Sequence, residues 1–232
     1  MTLLDQKKSN KEIISKVIQG IRKDKVLYLK LLWAISIGYL ATKIKNKHFT
    51  YNEKNYAYFY HPYNHTWANE RAVEVPIVMS QVTKAKNILE IGNVLRSYFP
   101  LKHTVIDKYE KGQHILNEDA VDFKLNKKFD LIVSISTIEH VGWDEQIKDA
   151  TKIPRTIAHL KKHLTKNGKL LITVPVGYNP HLDALLRQGI LGASISYLER
   201  GWFGIWKQVA RPRKKTYEKG IAARTLAIIQ IS

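Results

Sequence analysis

The chain has 232 residues, of which 44% are apolar and 25% charged, with 12 Gly and 7 Pro; this excludes disordered, collagen-like and low-complexity classes and suits one large domain, or one domain with a small appendage. Cysteine is absent, so disulfide frameworks, thiolate zinc sites and cysteine nucleophiles are excluded as well. The 38 Lys and Arg against 20 Asp and Glu give a formal charge of +18, distributed as +8 over residues 1–60, +4 over 61–196 and +6 over 197–232. Basic ends around a near-balanced middle suit a folded unit whose flanks meet phospholipid, nucleic acid or a phosphorylated substrate. The plainer reading is a solvated basic surface.

Taken in chain order, the polar start M-T-L-L-D-Q-K-K-S-N does not read as a signal peptide, which predicts a cytoplasmic protein. Ser9 and Glu12 have capping-box spacing, and Ile14, Val17, Ile18 and Ile21 recur at helical intervals, predicting a helix over 10–23. A second helical stretch is expected over 26–44. Its eleven uncharged residues from Leu31 to Ala41 fall short of the roughly 20 needed to span a bilayer. Arg22, Lys23 and Lys25 precede them, and Lys43, Lys45 and Lys47 follow. That layout suits either peripheral contact with an anionic membrane or a helix packed on the main domain with its lysines reaching to water.

Residues 49–67 concentrate Phe49, Tyr51, Tyr56, Tyr58, Phe59, Tyr60, Tyr63 and Trp67 and read as an irregular segment that either lines a pocket or covers one end of a sheet. A helix is expected over 69–82 with Arg71 and Glu74 on its polar side, and Pro76 as a kink or as its true start. From residue 87 onward, short apolar runs at 88–91, 104–106, 131–135 and 170–174 alternate with helical or turn-rich stretches, the rhythm of βαβ units around a parallel sheet. A helix is expected over 144–164, carried by Ile153, Ile157, Leu160 and Leu164, then a Lys166-Asn167-Gly168 turn and a helix from Pro180 to about Gln188. Strand-like runs at 202–209 and 225–231 flank the basic R-P-R-K-K segment.

Ligands of open α/β sheets bind at the carboxyl ends of the strands, which directs attention to Glu90-Ile91-Gly92-Asn93, to Asp107, to Asp119-Ala120 and to the stretch from Ser134 to His140. A glycine there lets the backbone approach a ligand. A carboxylate after the second strand can accept both hydroxyl hydrogens of a ribose. The pieces I-L-E-I-G-N (88–93), H-T-V-I-D (103–107), N-E-D-A-V-D-F (117–123), F-D-L-I-V-S-I-S-T-I-E-H-V (129–141) and L-T-K-N-G-K-L-L-I-T-V-P (164–175) occur in order. In this the sequence resembles the class I S-adenosylmethionine-dependent methyltransferases, and is closest in look to small methyltransferases of saccharide and cell-surface polymer synthesis.

The resemblance implies an α/β fold with a Rossmann-like methyltransferase sheet, mostly parallel with an antiparallel last strand and helices on both faces. This core would cover 69–232, behind an N-terminal helical and aromatic-rich extension over 1–68. It further implies that Gly92 lets the loop pass the methionine part of S-adenosylmethionine, that Asp107 holds the ribose, and that Asp119 with the Ala120 backbone holds the adenine amino group. Ser134, Ile135 and Ser136 would line the floor beneath the sulfonium, with Glu90, Asn93 and Lys108 beside the cofactor. The family's loop after the first strand usually carries two or three glycines, whereas here Gly92 is followed by Asn93-Val94-Leu95.

A general base is needed if the acceptor is a hydroxyl or a protonated amine. His140 is the first candidate, with Glu139 second and Tyr178, His181 and Asp183 behind them; Tyr178, Asn179 and His181 are the expected substrate-binding residues. His61 with His65, and His159 with His163, have metal-compatible spacing but bring no third ligand, so no metal is expected. There is no G-K-S or G-K-T phosphate loop and no G-x-S-x-G elbow. The expected activity is methyl transfer to a saccharide or another small or polymer-linked acceptor. The alternatives are an RNA methyltransferase, which the basic ends permit electrostatically, and a non-catalytic protein of the same fold that binds a partner or an anionic membrane surface.

Overall fold

The computed structural model describes residues 47–190, 192–201, 204–212, 217, 218 and 222–232, together with Leu29, Ser36 and Tyr39. The helix expected over 10–23, all of the stretch expected over 26–44 except Leu29, Ser36 and Tyr39, and all but Arg211 and Pro212 of the R-P-R-K-K segment, lie outside the described residues. Among the described residues no helix is long and apolar enough to cross a membrane.

The 88–231 region forms one eight-stranded sheet. Its members are β3 (Ile88–Ile91), β4 (Thr104–Ile106), β5 (Ile115–Leu116), β6 (Phe129–Ile135), β7 (Leu164–Pro175), β8 (Ala193–Arg200), β9 (Trp206–Val209) and β12 (Thr225–Ile231). They are ordered β5-β4-β3-β6-β7-β12-β8-β9. The first five are mutually parallel, and β12 lies antiparallel between β7 and β8. The molecule is therefore a Rossmann-like α/β structure with a mostly parallel sheet and an antiparallel last strand. An edge strand, β9, adds a second antiparallel pairing.

Strand alternation decides which residues face each layer. Leu131, Val133 and Ile135 of β6 pack on one face with Val73, Ile77 and Val78 of α1 (Arg71–Val82). Ile132 packs on the other face with Ile153, Ile157 and Leu160 of α2 (Lys152–Lys162) and Leu182 and Leu186 of α3 (Pro180–Gln188). A register shift between Phe129 and Leu131 turns Phe129 to the α2 side, because one extra residue in a strand reverses the alternation.

Several local expectations are corrected. Residues 49–67 are not irregular throughout: β1 (His48–Tyr51) and β2 (Lys54–Ala57) pair as an antiparallel hairpin, whose turn residues Asn52 and Glu53 both have positive φ, 46° and 63°. Phe49, Tyr51 and Tyr58 join the same buried cluster as Val73, Leu198 and Trp206, so packing runs continuously across residue 68. The helix expected from Asp144 begins only at Lys152. Pro154 accounts for this, since a proline is tolerated in the first helical turn and disruptive beyond it. The 166–168 turn is instead part of the long strand β7. β8 is a strand where none was expected, and the run at 202–209 is a strand only from Trp206. A small hairpin of β10 (Tyr217–Glu218) and β11 (Ala222–Ala223) lies outside the main sheet.

Pro76 sits inside α1 rather than at its start. A proline there leaves the carbonyl four residues earlier without its helical donor. The Phe59 amide donates to that Ala72 oxygen at 2.9 Å, so the aromatic segment repairs the defect and is held against the helix.

Candidate active site

A cleft of about 540 Å³ opens at the carboxyl ends of β3, β4 and β6. Its walls include Gly92, Asp107, Lys108, Asp119, Ala120, Thr137, His140, Asp144 and Glu145. Gly92 has φ +83°, and a Cβ built on it would lie 2.3 Å from Thr137 Oγ1, which itself donates to the Ile135 carbonyl at 3.1 Å. Only glycine fits, in conformation and in space. The Gly92 amide donates to the Ile106 carbonyl at 2.8 Å, so the loops after β3 and β4 are tied together and Gly92 lies beside Asp107.

Glu90 does not border the cleft. It is fully buried, accepts the amides of Val94 and Leu95 at 2.9 and 2.8 Å, and meets His103 Nε2 at 2.6 Å. These bonds shape the loop after Gly92 and satisfy its backbone donors. Asn93 also lies outside the cleft lining and donates to Glu110 Oε1 at 2.8 Å.

The Asp107 Oδ1 accepts the Tyr109 and Glu110 amides at 2.9 and 2.7 Å, while no described residue bonds its Oδ2. That second oxygen is available to hydroxyl donors. Asp119 belongs to a cluster of four charges: its Oδ2 lies 2.8 Å from Lys108 Nζ and 2.6 Å from Lys152 Nζ, and Glu145 Oε1 lies 3.1 and 2.6 Å from the same two ammonium groups. Partial burial pushes the Asp119 carboxyl up, but hydrogen bonds from Lys108 and Lys152 outweigh it and hold the group below its ordinary range. Asp119 Oδ1 receives only a long bond, 3.3 Å, from the Val121 amide and keeps capacity for a further donor.

Ser134, Ile135 and Ser136 do not line the floor. Ser134 and Ile135 are fully buried within β6. Ser136, held at φ 39°, donates from Oγ to Glu74 Oε1 at 2.6 Å. The other Glu74 oxygen takes Arg71 Nη1 at 2.5 Å. Burial raises Glu74 against the opposing Arg71 charge. The acid of α1 thereby pins the strained residue that launches the chain toward His140. Thr137, two residues beyond the end of β6, faces the cleft in place of the serines.

His140 lines the cleft with its Nδ1 2.5 Å from Asp144 Oδ2. The Tyr178 hydroxyl donates to the same carboxylate oxygen, and the Tyr178 ring meets His140 edge-on at 4.7 Å. Burial and the Asp144 charge both push the Tyr178 phenol above its ordinary value. Glu139 sits beneath the imidazole: it is 1% exposed, its Oε1 is 3.7 Å from His140 Nε2, and its Oε2 has no partner. Burial, reinforced by Glu74, raises its carboxyl well above the usual range.

Asn179, expected to bind substrate, is buried with its side chain engaged within the protein. Its side chain caps α3 by accepting the His181 and Leu182 amides at 2.9 and 3.3 Å, and donates to the Glu139 carbonyl at 2.8 Å. This bond ties the turn after β7 to the residue under His140. His181 packs edge-on against Trp143 at 5.6 Å, outside the cleft lining, and Asp183 accepts the Gly177 amide at 3.0 Å. Asp144, Lys152 and Glu145 escaped the sequence reading, although His140 and Asp144 stand at i, i+4, a spacing that brings side chains together on one turn.

The sequence matches no protein-family model and no curated protein. Among solved structures, the chain is similar to the N-methyltransferase NodS from Bradyrhizobium japonicum in complex with S-adenosyl-L-homocysteine, at 15% identity over 70% of this chain and 92% of that one, with a TM-score of 0.41. It is similar to CalS10, an amino pentose methyltransferase from Micromonospora echinaspora, at 11% identity over 67% and 87% with a TM-score of 0.37. The sugar N-methyltransferase KedS8 from Streptoalloteichus sp matches at 17% identity over 54% of this chain and 52% of that one, with a TM-score of 0.33.

Proposed function

We propose that this chain is an S-adenosylmethionine-dependent methyltransferase acting on a saccharide or another small or polymer-linked acceptor. One observation carries the reading: Gly92, with no room for a side chain, and Asp107, with one carboxylate oxygen unclaimed, stand side by side at the ends of neighbouring parallel strands. Gly92 passes the methionine part, Asp107 Oδ2 accepts ribose hydroxyls, and Asp119 Oδ1 with Ala120 faces the adenine edge. The bound cofactor supplies a methyl group on a positively charged sulfur. Most of the acceleration then comes from holding an acceptor in line with that carbon.

His140 is the base of this reading. Asp144 fixes the ring with Nδ1 as the donor, which leaves Nε2 with the lone pair that receives a proton. Calorimetric titration with S-adenosylmethionine tests the proposal. Saturable binding is expected, weakened about 30-fold or more in Asp107→Ala, since two hydrogen bonds to a charged acceptor are together worth about 2–4 kcal/mol. No heat at millimolar cofactor would sink it.

A further inference from the structure

The groups around His140 differ in kind from those at the adenosine end. Both ring nitrogens face carboxyls, Asp144 at 2.5 Å on Nδ1 and Glu139 at 3.7 Å on Nε2. The rings of Tyr178 and Tyr217 complete the surround, Tyr178 at 4.7 Å from His140 and Tyr217 at 4.9 Å from Tyr178. Independently of this acidic lining, Glu139 carries a buried oxygen with no hydrogen-bond partner, on a carboxyl turned toward His140. A buried polar atom left unsatisfied is costly, and here a donor brought by a ligand would satisfy it. Arg71, the nearby cation, is already taken by Glu74.

We propose that this cluster at the His140 wall of the cleft binds the acceptor as an organic ammonium ion, held between Glu139, Asp144 and the two tyrosine rings, and that His140 Nε2 then takes one of its protons. The inference rests on the methyl-transfer reading and names the acceptor's reacting group as an amine. Carboxylates and aromatic faces both favour a cation, the latter through the ring quadrupole. The entering ammonium, opposing the effect of burial, favours the Glu139 carboxylate, which accepts an ammonium hydrogen at Oε2; a proton displaced from that carboxyl passes to solvent. One N–H bond of the ammonium then breaks with its electron pair staying on nitrogen, and the proton bonds to His140 Nε2. This leaves an uncharged amine with a free lone pair, the form that methyl transfer requires, and an imidazolium between two carboxylates.

The test follows the His140 ring resonance by NMR in the full chain at constant pH and ionic strength, titrating n-butylammonium chloride and, separately, n-butanol. The expected result is a saturable shift with butylammonium and none with butanol, and a loss of affinity of about ten-fold or more, equivalent to at least about 1.4 kcal/mol, in Glu139→Gln. Gln is isosteric with the protonated acid, and an unchanged amide fingerprint verifies its fold. The contrast between the two probes in the unaltered chain needs no variant at all. Absence of a butylammonium shift, an equal shift with butanol, or an unchanged affinity in Glu139→Gln overturns the proposal. A silent His140 beside a normal S-adenosylmethionine isotherm removes this inference alone, whereas loss of the isotherm removes the methyl-transfer reading.

Discussion

The two ends of the cleft use the same kind of side chain in opposite states. At the end proposed to hold adenosine, Asp119 and Glu145 are paired with Lys108 and Lys152, and their carboxyls are held low. At the end proposed to hold the acceptor, Glu139 is buried without a cation on its free oxygen and its carboxyl is pushed up. Both environments desolvate the acid, and a lysine at hydrogen-bond distance decides the sign. Folding thus favours the anion where, on the proposed reading, a ring with an amino donor would lie, and favours the protonated acid where charge would arrive with the ligand.

The largest test of that contrast is at the hinge between the two ends. Gly92→Ala forces a left-handed alanine against Thr137 Oγ1 and should cost about 3 kcal/mol of stability by urea unfolding, from backbone strain and overpacking together, with loss of cofactor binding. A cost below about 1 kcal/mol would show the loop to be looser than its geometry states. Next comes Lys152→Met, which removes the more buried of the two lysines and should destabilise by about 2 kcal/mol, less than a fully buried pair because Asp119 and Glu145 keep Lys108. Because both carboxyls are lowered on folding, their contribution is complete above about pH 4.5, the unfolded value, and is lost as pH falls through the folded one. The variant should accordingly show a flatter acid limb, with unchanged slope as the refuting result.

The smallest effect has the opposite sign. A carboxyl raised on folding binds more protons in the native state, so stability falls as pH rises from about 4.5 toward its folded value. In Glu139→Gln that decline should shrink by about 1 kcal/mol across neutral pH, measured as the difference between the two proteins' unfolding curves. If the two curves run parallel, Glu139 is not the neutral acid that distinguishes the acceptor end.

The residues proposed for the cofactor were easier to place on the cleft from the sequence than those around His140, for a physical reason. Gly92, Asp107 and Asp119 each follow a short apolar run, and their positions depend on local strand endings. Ser134 and Ile135 were misplaced because the carried-over motif ignored alternation: both lie inside β6, one toward each buried layer, and only beyond Ser136 does the chain reach the cleft. Lys152 was hidden in a helix expected to begin eight residues earlier, a start that Pro154 argues against. β8 was not expected, although Ala193, Ile195 and Tyr197 pack on one face, because the polar Ser194 and Ser196 between them and the nearby Gly192 interrupt any apolar run. Asp144 needed the fold of the 137–144 turn, which no periodicity announces.

The hairpin turn at Asn52 and Glu53 offers something of practical use. Asparagine tolerates a positive φ, whereas glutamate at 63° occupies a place where hairpins of this kind favour glycine. This turn lies on the β1–β2 hairpin, whose Asn52 accepts Gln208 Nε2 of β9 at its Oδ1 and donates its backbone amide to Gln208 Oε1, away from the cleft lining. Glu53→Gly would relax it and return about 1 kcal/mol. Such a background acts as a second-site suppressor, so that damaging replacements around His140 or Gly92 can be purified and assayed in a chain that still folds.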